Sequence, residues 1–176
     1  MSKEKYQGRK YSIQEYDPAW ASQFKTESEA LQKALGRAVI SIDHIGSTSV
    51  PGLAGKPLID ILGVVDDISE ADSFERSLET LGYGSLGQYV MEGSRLYVKE
   101  KDSTRLVNLH FYYQGHKHIS EMIGLRNYFR SHPEVVKEYS QLKFDLVEKY
   151  PEDYGSYRKY KDEWMNGLKK ELDIDS

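Results

Sequence analysis

The segment from His44 to Val65 constrains the fold of this 176-residue chain more than any other part of its sequence. Its 22 residues contain only Lys56 and Asp60 as formal charges, although charged residues make up 30% of the chain. Three of its four glycines and both of its prolines stand before Leu58 and exclude a long helix from its first half. The apolar run from Leu58 to Val65 is typical of a buried strand. The segment therefore predicts a strand, a Gly/Ser-rich turn and a second strand that carries one acid.

Apolar periodicity predicts the elements around this segment. A helix is expected from Asp17-Pro18 to Gly36, a strand from Val39 to Ile45, and a short helix from Ala71 to Gly82. Further strands are expected at 89–91, 95–99 and 105–113, and helices at 119–131, 133–150 and 152–172. This order predicts a single α/β (α+β) domain, with a sheet-containing core over 12–115 and C-terminal helices over 116–172.

Composition excludes several classes of protein. The absence of cysteine excludes a disulfide framework, thiolate catalysis and zinc sites with sulfur ligands. A net charge of -4 argues against a dedicated duplex-DNA binder, which would be strongly basic. There is no apolar run of about 18 residues that would indicate a membrane span, and no apolar signal segment follows Met1. We therefore expect a cytoplasmic protein without membrane contact.

Gly46-Ser47 and Asp60 are the first candidates for chemistry. A Gly-Ser turn after a strand offers unobstructed backbone N–H groups and a hydroxyl, which suits a phosphate. An acid between two isoleucines of a strand is costly to bury unless it meets a cation, a metal or several donors. The alternative is structural: Gly46 makes a tight turn, and Asp60 accepts local hydrogen bonds.

The same residues carry a family resemblance. The run from His44 to Leu62, HIGSTSVPGLAGKPLIDIL, closely resembles the signature of the GrpB family. The blocks Leu109–Phe111 and Leu125–Pro133 are similar to its later part, as are Tyr139, Leu142-Lys143 and Tyr157 through Lys161. This family looks like a branch of the nucleotidyltransferase superfamily. The resemblance implies a nucleotidyltransferase-like mixed sheet with packed helices, and a nucleotide lying across the Gly-Ser turn.

Active members of that superfamily hold two Mg²⁺ ions with acids spaced Asp-x-Asp on one strand and a third acid on a later strand. Here Asp60 matches the first acid, but Leu62 stands at the second position and His110 where the third is expected. A one-metal or metal-free site is left, with Asp60 and His110 as the catalytic pair. Asp60, His110 and His44 are the candidate ligands of a metal, for which Mg²⁺ is the expected ion.

Basic residues complete the candidate site. Gly46, Ser47 and Lys56 are expected to bind phosphate together with Arg126 and Arg130, which stand one helical turn apart and can hold one anion together. Arg126 also interrupts an otherwise apolar helical stripe. The alternative for both arginines is a solvated basic edge, or pairing with the acids of the C-terminal helices.

Three functional interpretations remain open. The leading one is a nucleotidyltransferase-like protein that binds a nucleotide or phosphorylated metabolite and transfers a nucleotidyl group to an acceptor. The second is an inactive module that only binds its ligand. The third is an interaction protein that uses its C-terminal helices, where Tyr157, Tyr160 and Trp164 form an aromatic stripe. A stripe of this kind is more often core, and we interpret the eight tyrosines from Tyr112 onward mainly as packing residues.

Overall fold

The computed structural model describes residues 11–174 and is built around a mixed sheet. Within that range, the five strands follow the order β1-β2-β5-β4-β3 across the sheet, and β2 and β5 are parallel while every other neighbouring pair is antiparallel. The strands are β1 Ser41–Ile45, β2 Ile59–Val65, β3 Tyr83–Ser85, β4 Ser94–Lys101 and β5 Thr104–Tyr113. The predicted α/β class with a mixed sheet is confirmed.

Helices precede, interrupt and follow the strands. They are α1 Ala19–Leu35, α2 Ile68–Ser73, α3 Glu75–Thr80, α4 Lys117–Ser131, α5 Pro133–Lys149 and α6 Tyr154–Glu171. The Asp17 carboxylate accepts a hydrogen bond from the Ala19 N–H at 2.8 Å, so it satisfies one of the free donors at the start of α1. None of the helices between residues 11 and 174 is long and apolar enough to cross a membrane.

Alternation along the two central strands divides the sheet into an apolar face and a mixed face. Ile59 and Ile61 of β2, with Leu109 and Phe111 of β5, pack in one core against α1, α2 and α3. The opposite side chains face the C-terminal helices, because successive residues of a strand point to opposite faces. On that side Leu62 packs with residues of β1, β5 and α4. The polar candidates of β2 and β5 share this second face.

The C-terminal helices form their own aromatic core. Tyr157 is buried in a cluster with Leu146 and Tyr154, and the Trp164 ring stacks on Tyr139 with centroids 4.5 Å apart. Tyr160 stacks on Tyr150 and is 40% exposed. The aromatic stripe of α6 is therefore largely occupied by packing within the chain.

Two of the predicted elements are wrong. The strand expected at 89–91 lies instead at Tyr83–Ser85, where Tyr83 pairs with Lys99 and is buried in the core below α1. Tyr89 and Val90 are exposed in the connection that follows, so the apolar residues that suggested a strand have no core to enter. The helix expected over 71–82 is broken at Phe74 into the short helices α2 and α3.

Candidate functional site

The Gly-Ser turn is held directly against Asp60. Strand β1 ends at Ile45, Gly46 turns the chain with φ +71°, and Ser47 begins a one-turn 3-10 helix. A Cβ atom at position 46 would lie only 2.7 Å from Asp60 Oδ2, closer than two such atoms can approach. Glycine is therefore required here for both its backbone conformation and its lack of a side chain.

Strand pairing brings three polar side chains together beside this turn. In the parallel pair, Asp60 stands opposite Asn108, and His110 follows two residues later on the same face. Asn108 Nδ2 donates to Asp60 Oδ1 at 2.8 Å, and His110 Nε2 lies 3.8 Å from the same oxygen. The predicted pair Asp60 and His110 thus meets on the mixed face, with Asn108 fixing the carboxylate.

The arrangement differs from a two-metal site because of Leu62. Its side chain has no exposed surface and packs in an apolar cluster with Ile45 and Tyr112. Within residues 11–174 no group of three His, Asp or Glu side chains is placed to hold a metal ion. Mg²⁺ prefers oxygen ligands and is often bound by one or two carboxylates together with substrate phosphates. The side chains present therefore fit a single such ion on Asp60 and do not fit a pair.

His44 is placed on the other side of the sheet. It stands opposite Ile61 in the β1–β2 pair, its ring stacks on Phe24 with centroids 4.5 Å apart, and Nε2 is hydrogen-bonded with Thr48 Oγ1. Burial lowers the pKa of His44 to about 4. The negative charge of Asp60 opposes this effect, and the positive charges of Arg126 and Arg130 add to it. His44 was predicted to bind a metal together with Asp60 and His110, but the structure brings only Asp60 and His110 together.

A cavity of about 470 Å³ opens beside Asp60 and His110 and extends beneath the C-terminal helices. Its wall contains Gly46 and Ser47 of the turn, the three polar side chains of β2 and β5, and tyrosines of α5 and α6. Its basic residues are Lys56, Arg126, Lys143, Arg158 and Lys161, and its acidic residues are Asp60 and Asp162. The wall is therefore strongly basic, although the whole chain carries a net charge of -4.

The two predicted arginines are placed differently. Arg126 lines the cavity, and its NH1 group donates to Asp43 Oδ1 and to the His44 carbonyl, both at 3.1 Å. Arg130 lines a separate groove, and its guanidinium donates to the Ser49 carbonyl at 2.7 and 3.0 Å. Burial and the neighbouring Arg126 lower the Arg130 pKa from its ordinary value. Arg130 thus fixes the backbone of the Gly-Ser turn from outside the cavity.

Lys56 and Lys143 both line the cavity. Lys56 Nζ donates to the Tyr154 hydroxyl at 2.6 Å. Lys143 Nζ donates to Ser47 Oγ at 2.8 Å and to the Ala54 carbonyl at 2.6 Å. Lys56 was expected in the site, whereas Lys143 was not, although it interrupts the buried stripe of α5 as Arg126 interrupts that of α4.

Arg158 and Lys161 are further cavity residues, which belong to the block from Tyr157 to Lys161 that resembles the family but which were not predicted as site residues. They extend from α6, and both pair with Asp162, at 3.2 Å for Arg158 and 2.8 Å for Lys161. Lys-and-Arg-rich helical faces are usually solvated, so neither residue had a local signal that distinguished it. Only the packing of α6 over the mixed face of the sheet brings them to the site.

Comparison with known sequences identifies relatives over nearly the whole chain. A family model described as "GrpB protein" matches residues 10–171. The chain is 37% identical over 160 residues to "UPF0157 protein YqkA" of Bacillus subtilis (strain 168), covering 91% of this chain and 46% of that protein. It is 33% identical over 158 residues to "Glutamate-rich protein GrpB" of Alkalihalophilus pseudofirmus, covering 87% of this chain and 90% of that protein. The chain thus spans about half the length of the first relative and most of the second.

Comparison with solved structures agrees with the fold. The crystal structure of conserved protein GrpB from Enterococcus faecalis matches with a TM-score of 0.84 and 34% identity, covering 91% of this chain and 96% of that chain. The Cid1 poly(U) polymerase matches with a TM-score of 0.56 and 12% identity, over 76% of this chain and 43% of that chain. A cytoplasmic RNA terminal U-transferase gives 0.52 and 14%, over 76% and 42%. At these identities the likeness to the two transferases is one of fold.

Proposed function

Because this chain belongs to the GrpB family and shares the fold of nucleotidyltransferases, we propose that its cavity binds a nucleotide or a related phosphorylated metabolite. The charge of the cavity wall is the main support: Lys56, Arg126, Arg158 and Lys161 face two carboxylates, beside the buried amine of Lys143, in a chain that is acidic overall. Such a local excess of positive charge attracts and holds a multiply charged anion. The ligand-binding residues are Gly46, Ser47, Lys56 and Arg126, with Lys143 and Lys161 added by the structure.

The dimensions and chemistry of the cavity favour a nucleotide within this class. Small-molecule sites commonly enclose about 300–1,000 Å³, so 470 Å³ suits a ligand of nucleotide size. Gly46 leaves the turn open for a phosphate, and tyrosines of α5 and α6 provide apolar area for a base. The structures with similar folds are those of a poly(U) polymerase and an RNA terminal U-transferase, so UTP is the first ligand to test.

In the active form of this proposal, Asp60 and His110 support transfer of a nucleotidyl group. His110 takes the proton of an acceptor hydroxyl, and the acceptor oxygen forms a bond to the α-phosphorus as the bond to pyrophosphate breaks. Asp60, fixed by Asn108, stabilises the protonated imidazole. Arg126 and Lys56 offset the negative charge that develops on the phosphoryl oxygens. Mg²⁺ held by Asp60 and the ligand phosphates would neutralise part of that charge.

The buried Leu62 favours a second candidate, a module that binds the same ligand without turnover. Superfamily members that use two metals have an acid at this position, and an apolar residue with no exposed surface cannot replace it. The two candidates share the cavity and its cations. They differ in whether pyrophosphate is released.

Calorimetric titration with UTP, with and without Mg²⁺, tests both candidates. We expect binding by the wild type, strengthened by Mg²⁺, and we expect the Mg²⁺ effect to disappear in Asp60→Asn. The matched control is Asp66→Asn, which changes an exposed acid just beyond β2 and should bind as the wild type does. A parallel assay of pyrophosphate release with candidate acceptors separates turnover from binding alone.

Two results would count against the proposal. Absence of binding heat with UTP and with other nucleoside triphosphates would remove the nucleotide from it. The same Mg²⁺ effect in wild type and Asp60→Asn would remove Asp60 as the metal-binding residue.

A further inference from the structure

Lys143 is a buried amine that has no acidic partner among residues 11–174. Its side chain extends from α5 into the interior and is 2% exposed, and it lines the cavity. The ammonium contacts Ser47 Oγ, the Ala54 carbonyl and the face of the Tyr139 ring, whose centroid is 4.2 Å away. All three partners are neutral, so nothing in this shell balances a positive charge.

The charged groups that face Lys143 disfavour its protonated form. Burial is the largest effect and holds the pKa of Lys143 well below its ordinary range, and the nearby charges of Lys161 and Lys56 lower it further. The cavity's two carboxylates are engaged elsewhere, because Asp60 accepts from Asn108 and Asp162 pairs with Lys161 and Arg158. The cavity thus contains an amine that lacks a counter-anion among the described residues.

We propose that Ser47 and Lys143 form a subsite for a phosphoryl dianion, and that binding at this subsite delivers a proton to the Lys143 amine. The inference rests on the proposed function, since it requires a phosphorylated ligand in this cavity. It adds a specific position for one phosphoryl group and a proton that enters the protein with the ligand.

Hydrogen-bonding capacity explains why the proton and the ligand arrive together. A neutral amine has two N–H donors and one lone pair, so a donor to the Ala54 carbonyl and one contact with the Ser47 hydroxyl leave little for a ligand. A protonated amine has three donors, and the third can serve a phosphoryl oxygen. A dianion next to Lys143 supplies the missing counter-charge, which favours the protonated form.

The linkage is measurable because proton uptake adds the ionisation heat of the buffer to the heat of binding. We would titrate UTP at about pH 8, where a phosphate monoester has already lost its second proton, which has a pKa of about 6. The titration would be repeated in Tris and in HEPES, which differ in ionisation enthalpy. For the wild type we expect a buffer-dependent heat that corresponds to uptake approaching about one proton per bound ligand.

Variants at position 143 separate charge from protonation. Lys143→Met removes the amine. We expect the affinity for UTP to fall by a factor of about ten or more, with no proton uptake. Lys143→Arg keeps a permanent cation, so binding should persist with no proton uptake. Lys137→Met is the matched control, because Lys137 is an exposed lysine of the same helix and lies outside the cavity. Thermal unfolding of each variant confirms that it is folded.

The possible outcomes distinguish this inference from the function on which it rests. If the wild type gives no heat with UTP, the proposed nucleotide site fails and the subsite fails with it. If UTP binds with the same heat in both buffers, or if Lys143→Met takes up as many protons as the wild type, the nucleotide site stands and the protonation of Lys143 is wrong. Sodium sulfate provides a second probe, because it is a dianion that has no titratable proton at this pH and lacks the nucleobase of UTP.

Discussion

At the scale of single residues, the structure assigns unlike roles to side chains of the same type. His110 faces the cavity beside Asp60, whereas His44 is buried under Phe24 on the opposite side of the sheet. Arg126 lines the cavity, whereas Arg130, one helical turn later, holds the backbone of the Gly-Ser turn. Residue type and spacing nominate such groups, but strand register and helix packing decide which of them can meet a ligand.

His44 should make the stability of the fold dependent on pH. Its folded pKa of about 4 lies below the ordinary value of 6.5, so between these values the unfolded chain binds a proton that the folded chain does not. The free energy of unfolding should therefore fall as the pH is lowered from 6.5 to about 4, by about 3 kcal/mol from this group. Urea unfolding across this range measures the loss.

His44→Gln is the variant that isolates this contribution. Its free energy of unfolding should decline less steeply over the same pH range, whatever its stability at neutral pH. His132→Gln, which changes a histidine at the end of α4, should decline as the wild type does. Equal slopes for wild type and His44→Gln would show that His44 does not titrate in the expected way.

At the scale of elements, the site depends on the short connection between β1 and β2. Gly46 permits the turn to lie against Asp60, Arg130 holds the Ser49 carbonyl, and Lys143 holds the Ser47 hydroxyl and the Ala54 carbonyl. The Ala54 N–H also donates to Ser140 Oγ at 3.0 Å. The Gly-Ser turn is therefore positioned by α4 and α5 as much as by the strands that flank it.

Gly46→Ala should damage both the fold and the site. Alanine is disfavoured at φ +71°, and its Cβ would displace the Asp60 carboxylate. We expect a loss of about 1–3 kcal/mol in the free energy of unfolding, together with loss of UTP binding. Chemical denaturation and calorimetry measure the two effects.

Gly36→Ala is a close control for this substitution. Gly36 has φ +62° and ψ -135°, a similar backbone conformation, but no atom lies within 4 Å of the position of a Cβ. It should lose a comparable amount of stability and retain UTP binding. If Gly46→Ala also retained binding, the contact between the turn and Asp60 would not matter for the ligand.

The sequence predicted this part of the molecule better than the rest. The strand after the turn and the solitary acid within it follow from local patterns, since alternation along a strand assigns faces without knowledge of the fold. The pairing of His110 with Asp60 was implied by the family resemblance, because the neighbouring strand is distant in sequence. The strand at Tyr83–Ser85 was not predicted, because Tyr83 is buried by packing against residues of α1 that are far from it in sequence. Lys143, Arg158 and Lys161 were missed because helix docking, which the local pattern does not encode, brings them to the cavity.

At the scale of the whole molecule, the cavity lies between the sheet and the C-terminal helices, and these helices must be connected to one another to enclose it. Part of that connection is electrostatic: Glu121 of α4, which is 7% exposed, is hydrogen-bonded to His118 and to Lys169 of α6. Burial alone would raise the Glu121 pKa, but its bonds and charge interactions with Lys169 and His118 outweigh that effect and lower it. This contact joins two of the helices that enclose the cavity.

Glu121→Gln should weaken the attachment of α6. The substitution removes the buried charge and leaves its partners less well satisfied, so we expect a loss of about 1–3 kcal/mol in the free energy of unfolding. Amide hydrogen exchange should increase in α6 more than in the strands. Both measurements can be made at neutral pH.

Glu163→Gln provides the comparison for this pair. Glu163 is exposed on α6 and lies 3.9 Å from Lys159, so its removal should cost about 0.5 kcal/mol or less. An effect of Glu121→Gln as small as that of Glu163→Gln would mean that the contact of Glu121 with Lys169 contributes little to holding α6 in place.

The long sequence separations within the site bear on the order in which a new chain acquires its binding surface. Asp60 and Asn108 are 48 residues apart, and Ser47 and Lys143 are 96 apart. Contacts of such span form only after much of the loop entropy between them has been lost. A chain still leaving the ribosome exposes the turn and its acid long before α5 is synthesised. Ligand affinity should therefore arise late and abruptly during synthesis.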